Sequence, residues 1–178
     1  MKTCRQSTLM LLVSLIFLIN SGSILSQQPN QKVKIGVYDS RALAIAYANS
    51  EIFKAELVKK TAEYKKANEE NKTEYAKELD AEGKVQQQLL HEQTFSNGSV
   101  SNIIEIIKDK VQKVAQDAGV SIIISKWEIV YQDKSLDYKD VTDKLVKIFN
   151  PTEQALKWIE EIKKQNPMPI DKFLLTPN

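Results

Sequence analysis

The sequence predicts an α+β fold with a small three-stranded sheet, a projecting α-helical hairpin and packed C-terminal helices. Three observations support this prediction. Short β-branched segments occur after residue 32 and again after residue 119. Between them lie two long stretches rich in Ala, Glu, Lys and Leu, joined by a polar turn. Helical periodicity returns towards the C-terminal end of the chain.

Residues 1–26 are typical of a secretory signal peptide. Two basic residues precede an apolar run from Leu9 to Ile19, which is too short to span a bilayer. Small residues follow the run, so we expect cleavage near Ser26 and a polar linker at 27–32. The alternative is an uncleaved membrane anchor.

The charge balance argues against a nucleic-acid partner. Residues 1–26 hold two basic residues and no acidic one, so the 25 basic and 23 acidic residues of the chain become 23 of each after cleavage. Both signs are interleaved, without the basic patch of nucleic-acid binders. The one cysteine, Cys4, precedes the apolar run, so we expect neither a lipid anchor nor a disulfide in the exported domain.

The first strand is predicted at 33–38, and the helical hairpin follows at about 48–93. Val33, Ile35 and Val37 alternate with other residues, as in a strand that is half-buried on a sheet. The two arms, about 48–66 and 72–93, are amphipathic helices whose apolar stripes include Phe53, Leu57, Tyr64, Tyr75 and Leu79.

A turn between the arms is indicated by Asn71 and Glu74, whose spacing matches a capping box. The alternative is one uninterrupted helix with a solvated middle. Charged pairs such as Glu56 with Lys60 and Asp80 with Lys84 predict that the outer faces of the arms are solvated.

The remaining elements follow the hairpin. Apolar residues at 103–118 repeat with helical spacing up to Gly119, which is placed to end the helix, and two short strands are predicted at 120–124 and 128–131. A helix is expected after Asp140-Val-Thr142. Another is expected after Pro151, before an extended tail in which Phe173 and Leu174 are available for docking.

Few residues suggest catalysis. His91 is the sole histidine, and a helix-surface or capping role is the expectation for it; the alternative is acid–base chemistry beside a carboxylate. Asp39, Ser40 and Arg41 follow the first strand, where α/β enzymes often keep working residues, but no glycine-rich phosphate loop follows them. We expect Asp39 to end the strand and cap a helix, and we predict no enzyme.

Three aromatic residues allow two interpretations. Trp127, Tyr131 and Trp158 could form a patch that binds sugars, peptides or cations through their ring faces. The interpretation we favour is that they fill the core beside the two late strands.

The order of these elements resembles the Skp/OmpH family of periplasmic chaperones. The segments that carry the resemblance are Val33–Asp39, Ala118–Ile124, Val130–Tyr131 and Asp140–Thr142. The Skp/OmpH-like domain would span 33–149, with a C-terminal helix and tail at 150–178.

The resemblance implies a periplasmic homotrimer that holds unfolded outer-membrane proteins between its hairpins and uses no ATP, metal or other cofactor. The apolar stripe of the hairpin would face these clients, and the protein would meet the membrane only through them. The alternative is an exported structural or envelope-interaction protein of the same fold, with one dedicated partner and no chaperone activity.

Overall fold

The computed structural model describes residues 33–173. The predicted signal peptide at 1–26, the linker at 27–32 and Leu174 lie outside the described residues.

Three parallel strands form one small sheet, so the predicted α+β class and strand number are confirmed. The strands are β1 (Lys34–Tyr38), β2 (Ile122–Ser125) and β3 (Asp137–Asp140), in the order β2-β1-β3. Ile35 of β1 pairs with Ile122 on one side and with Tyr138 on the other. The first strand of the chain is therefore the centre of the sheet.

The prediction of a strand at 128–131 is wrong. A short 3-10 turn, Lys126–Glu128, follows β2, and the Ser125 hydroxyl caps it by accepting from the Trp127 backbone N at 3.3 Å. β2 and β3 lie on opposite sides of β1 and run parallel, so the chain must cross the sheet before pairing again. Residues 126–136 make that crossing, which leaves no room for an immediate second strand.

A nine-residue helix, α1 (Ser40–Ala48), follows β1 directly; its cap at Asp39 was expected, but its extent was not, because the first helix was predicted to begin near Ala48. Nearly every residue of α1 is buried, and the helix occupies the centre of the core. It ends at a corner where the Ser50 hydroxyl accepts from the Phe53 backbone N at 3.2 Å. Ser50 thereby starts the first arm of the hairpin in a new direction.

The hairpin consists of α2 (Glu51–Glu69) and α3 (Thr73–Phe95), so the prediction of two arms is confirmed and the uninterrupted helix is wrong. At 1.5 Å per residue the arms are about 29 and 35 Å long. The prediction that Asn71 and Glu74 form a capping box is also wrong. Asn71 adopts a left-handed conformation with φ 56°, and Lys72 precedes α3 without a side-chain cap.

The arms pack against each other along a narrow seam. Ala67 and Ala76 are buried where the arms meet near the tip. The Asp80–Lys84 pair forms at 2.7 Å as predicted, whereas Lys60 lies 3.7 Å from Glu82 of the opposite arm. The predicted Glu56–Lys60 pair is therefore replaced by a contact across the hairpin.

The core lies between the sheet and the helices that surround α1. These helices are α4 (Ser101–Ala118), α5 (Thr142–Val146) and α6 (Glu153–Lys163), and a short α7 (Ile170–Phe173) follows. Their fully buried side chains include Ile103, Leu145, Val146 and Ile159. The helices predicted at 103–118 and after Pro151 are confirmed, but α7 interrupts the tail that was predicted to be extended.

The three aromatic residues expected in the core have different surroundings. Trp127 is half-buried, whereas Tyr131 is 79% exposed and Trp158 is 49% exposed. The prediction is wrong for Tyr131 because it lies in the crossing segment, which no helix covers. It is wrong for Trp158 because this residue lies at the edge of the face of α6 on which Ala155 and Ile159 are buried, where it lines a cavity instead.

We predict opposite effects for alanine at two glycines. Gly119 ends α4 with φ 66°, so Gly119→Ala should lower the free energy of unfolding by about 1 kcal/mol. Gly83 lies inside α3 with open space around it, so Gly83→Ala should raise that free energy by a similar amount. Urea denaturation of both variants tests this, and a shift in the same direction for both would contradict it.

Candidate functional site

A groove along the hairpin, here called the first groove, contains four of the five predicted client-facing residues. Phe53, Leu57 and Tyr64 line it from α2, and Leu79 lines it from α3. Its volume is about 520 Å³. Tyr75 is exposed but does not line this groove, so the apolar stripe is shorter than the sequence predicted.

The register of the two arms determines which residues share the first groove. The Lys60–Glu82 contact fixes the antiparallel pairing near the middle of the hairpin. Leu57 and Tyr64 lie about one turn before and one turn after Lys60, on the same side of α2. The helical spacing of Leu57 and Tyr64 in the sequence therefore places both residues along the same groove.

The first groove is open to solvent and mainly offers apolar contact. Leu57 is 54% exposed and Tyr64 is 41% exposed, while Phe53 and Leu79 are half-buried. Polar side chains, among them Thr61 and Gln87, border it. Such a surface suits an apolar segment of another chain that binds without a fixed sequence.

A second apolar surface lies on the sheet. Residues paired across parallel strands point to the same face, and the face that carries Tyr38 and Ile123 packs on the helices. The opposite face, here called the open sheet face, carries six apolar residues and one exposed carboxylate at its edge: Val33, Ile35, Val37, Ile122, Ile124, Tyr138 and Asp140. Val33 and Ile122 are about half exposed, at 49% and 48%.

The carboxylate of Asp39, the residue after β1, is surrounded by hydrogen-bond donors. It accepts from Arg41 Nε at 3.1 Å and from Trp127 Nε1 at 2.9 Å, and Lys126 Nζ lies 2.9 Å away. Burial alone would raise the pKa of Asp39, but hydrogen bonds from Arg41, Lys126 and Trp127 outweigh it and lower the pKa to about 2. The predicted cap is confirmed, because the carboxylate also accepts from the Arg41 backbone N.

Arg41 is fully buried and extends from Asp39 to the C-terminal end of α6. Its Nη2 donates to Ile162 O at 3.0 Å and to Gln165 O at 2.8 Å, and the guanidinium lies 4.6 Å from the Trp127 ring centre. The carbonyl end of a helix carries partial negative charge, which stabilises a cation there. Arg41 thereby ties the C-terminal segment to the start of α1.

The same C-terminal segment is tied to the root of the hairpin. Met168 N donates to Phe95 O at 2.8 Å, and the Ser96 hydroxyl donates to Met168 O at 2.7 Å. These bonds join the end of α3 to the segment that Arg41 holds. The root of the hairpin is therefore fixed to the body, a feature that no spacing in the sequence indicated.

The other predicted candidates are dispersed. His91 is half-buried at the root of α3, 6.1 Å from the Phe95 ring, and lines a cavity of about 480 Å³ together with Trp158. Trp127 belongs to the Asp39 cluster, and Tyr131 lies in the crossing segment. Within residues 33–173, no group of three or more His, Cys, Asp or Glu side chains is placed to hold a metal. No helix in that range is long and apolar enough to cross a membrane.

We predict that Arg41→Met lowers the free energy of unfolding by about 3 kcal/mol, because it removes the cation beside the buried Asp39 carboxylate and the side-chain donor to the Ile162 and Gln165 carbonyls. The matched control is Lys54→Met, whose ion pair with Glu51 is exposed and which should cost under about 0.5 kcal/mol. Urea denaturation measures both, and equal losses would contradict the assigned role of Arg41.

Comparisons of this chain with protein-family models, with curated proteins and with solved structures find no match.

Proposed function

We propose that the protein is an ATP-independent periplasmic holdase that binds unfolded exported proteins, outer-membrane proteins among them, as a homotrimer. The observation that carries this proposal is the first groove, in which Leu57 and Tyr64 stand exposed on a hairpin. The export signal at 1–26 and the resemblance to the Skp/OmpH family also support it. The periplasmic location rests on the sequence.

Holding an unfolded chain requires many weak apolar contacts rather than one tight site. Each buried methylene contributes about 0.8 kcal/mol, and the client loses conformational entropy when it is ordered. One groove with five apolar side chains, Leu90 among them, therefore binds weakly. Several hairpins around one client raise the effective concentration of each groove, so oligomerisation is part of the mechanism.

The open sheet face supports assembly from identical subunits. All-parallel sheets are almost always covered on both faces, and here the helices within residues 33–173 cover only one. Burying the other face against its copies would remove from water the remaining exposed surface of six apolar side chains, with Asp140 at the edge of the contact. A closed cyclic trimer satisfies every copy equally and distributes three hairpins evenly around its axis.

A second candidate function is favoured by the fixed root of the hairpin. The bonds from Arg41 and Ser96 to the C-terminal segment give the arms one orientation, which suits a single partner of matching shape. In that case the protein would be an exported envelope-interaction protein. A pull-down would then recover one species instead of many unrelated unfolded proteins.

We predict that Leu57→Ser combined with Tyr64→Ser weakens the suppression of aggregation at least about tenfold, because the variant removes the most exposed apolar contacts of the first groove. Light scattering of several unrelated unfolded proteins at stoichiometric ratios measures it. Val58→Ser is the control, since Val58 is also exposed on α2 but does not line the groove. Equal losses in both variants, or no suppression by the unaltered protein, would count against holding.

We predict a trimer by static light scattering at micromolar concentration and a monomer for Ile122→Asp, which places a charge on the proposed subunit contact. Leu156→Asp changes an exposed leucine on α6 and should remain trimeric. Circular dichroism shows whether both variants stay folded. A monomeric unaltered protein, or a trimeric Ile122→Asp variant, would refute assembly through the open sheet face.

A further inference from the structure

The hairpin has a second groove, bordered by both arms and by α4. Its volume is about 760 Å³. Its apolar lining comes from Val85 and Leu89 of α3 and Ile106 of α4, all of them exposed, with Val85 at 67%. Charged side chains border this apolar surface, and they distinguish the second groove from the first.

Carboxylates dominate the lining of the second groove. Glu56, Glu78 and Glu82 contribute three negative charges, and Lys60 is the one cation among the lining residues. Lys60 lies beside Glu82 at 3.7 Å. Within the described residues Glu78 forms no ion pair, so it is available to a cation from outside.

Glu56 is held in place by two neutral donors. The Tyr47 hydroxyl donates to Glu56 Oε2 at 3.0 Å, and Gln86 Nε2 donates to Glu56 Oε1 at 3.2 Å. Burial and the adjacent Glu56 raise the pKa of Tyr47 to about 12, so this hydroxyl remains a donor at neutral pH. The second groove therefore has two carboxylates more than it has cations.

We propose that the second groove binds cationic amphipathic segments of client proteins, with apolar side chains on Val85, Leu89 and Ile106 and with Lys or Arg side chains beside the carboxylates. Charge complementarity selects this occupant, because an anionic segment or a phosphate group would be repelled. The inference rests on the proposed holding function and names the class of client segment that this side of the hairpin recognises.

The two grooves differ in their charge. Lys60 borders both grooves. In the first groove the one carboxylate, Asp80, lies 2.7 Å from Lys84, so no carboxylate of this lining lacks a cation. In the second groove, apolar side chains and unpaired carboxylates occur together. A client segment that carries both leucines and lysines can therefore place its leucines on the apolar side chains and its lysines beside the carboxylates of the same groove.

The test uses two fluorescent synthetic helical peptides with leucine on one face, one carrying lysine and the other glutamate on the opposite face. Fluorescence anisotropy with the purified protein should give at least about tenfold tighter binding of the lysine peptide, and this preference should shrink as salt is added. Equal affinities for the two peptides would overturn the inference.

Variants locate the binding. Glu78→Gln with Glu82→Gln should weaken binding of the lysine peptide about fivefold, as should Leu89→Ser. The matched control, Glu70→Gln with Glu74→Gln, removes the same charge from exposed residues at the tip and should change the affinity less than twofold. Equal effects of the two double variants would overturn the inference.

A parallel aggregation assay with a neutral unfolded client separates the two proposals. Suppression of its aggregation together with equal binding of both peptides supports holding and overturns the charge selection. No suppression together with selective, Glu78-dependent binding of the lysine peptide overturns holding and leaves the second groove as a peptide-binding site.

Discussion

The carboxylate of Asp39 connects four parts of the chain, and the arrangement of the helices depends on it. It ends β1, caps α1, accepts from Trp127 in the turn after β2, and anchors the Arg41 guanidinium that reaches the carbonyls at the end of α6. A buried ion pair contributes little net stability, but losing one partner is expensive. The cluster therefore bears mainly on where α6 sits, because this placement brings the Ile162 and Gln165 carbonyls to Arg41 Nη2, while Nη1 stays buried without a hydrogen-bond partner.

The exposed apolar surfaces of the hairpin follow from its architecture. Two helices in contact bury one seam, and here that seam contains small residues such as Ala67 and Ala76. Apolar side chains beyond the seam would need a third layer, which the arms lack away from their root. Leu57 and Tyr64 on one side, and Val85 on the other, therefore remain in solvent. A pair of arms that buried these residues would have no apolar surface left for another chain.

The elements that the sequence predicts correctly are those with one polar and one apolar side. The hairpin and α4 have clear helical periodicity. Of the five client-facing residues predicted from it, four line the first groove. Helix α1 shows no such periodicity, because a helix buried on nearly every side lacks a polar face. Strand β3 is missed for the opposite reason. It is an edge strand with largely exposed side chains, so its residues are polar. The bonds of Arg41 span more than 120 residues, and no local pattern records such a contact.

The open sheet face has its origin in the two connections between the strands. The connection from β1 to β2 contains α1 to α4, and the helices that pack on the sheet all lie against the Tyr38 face. The connection from β2 to β3 is the short crossing at 126–136, which contains only a 3-10 turn. With no helix in that crossing, residues 33–173 place no helix over the second face of the sheet. The same crossing leaves Val130 and Tyr131 exposed, so the lack of a helix between β2 and β3 accounts both for the open sheet face and for these two exposed apolar side chains.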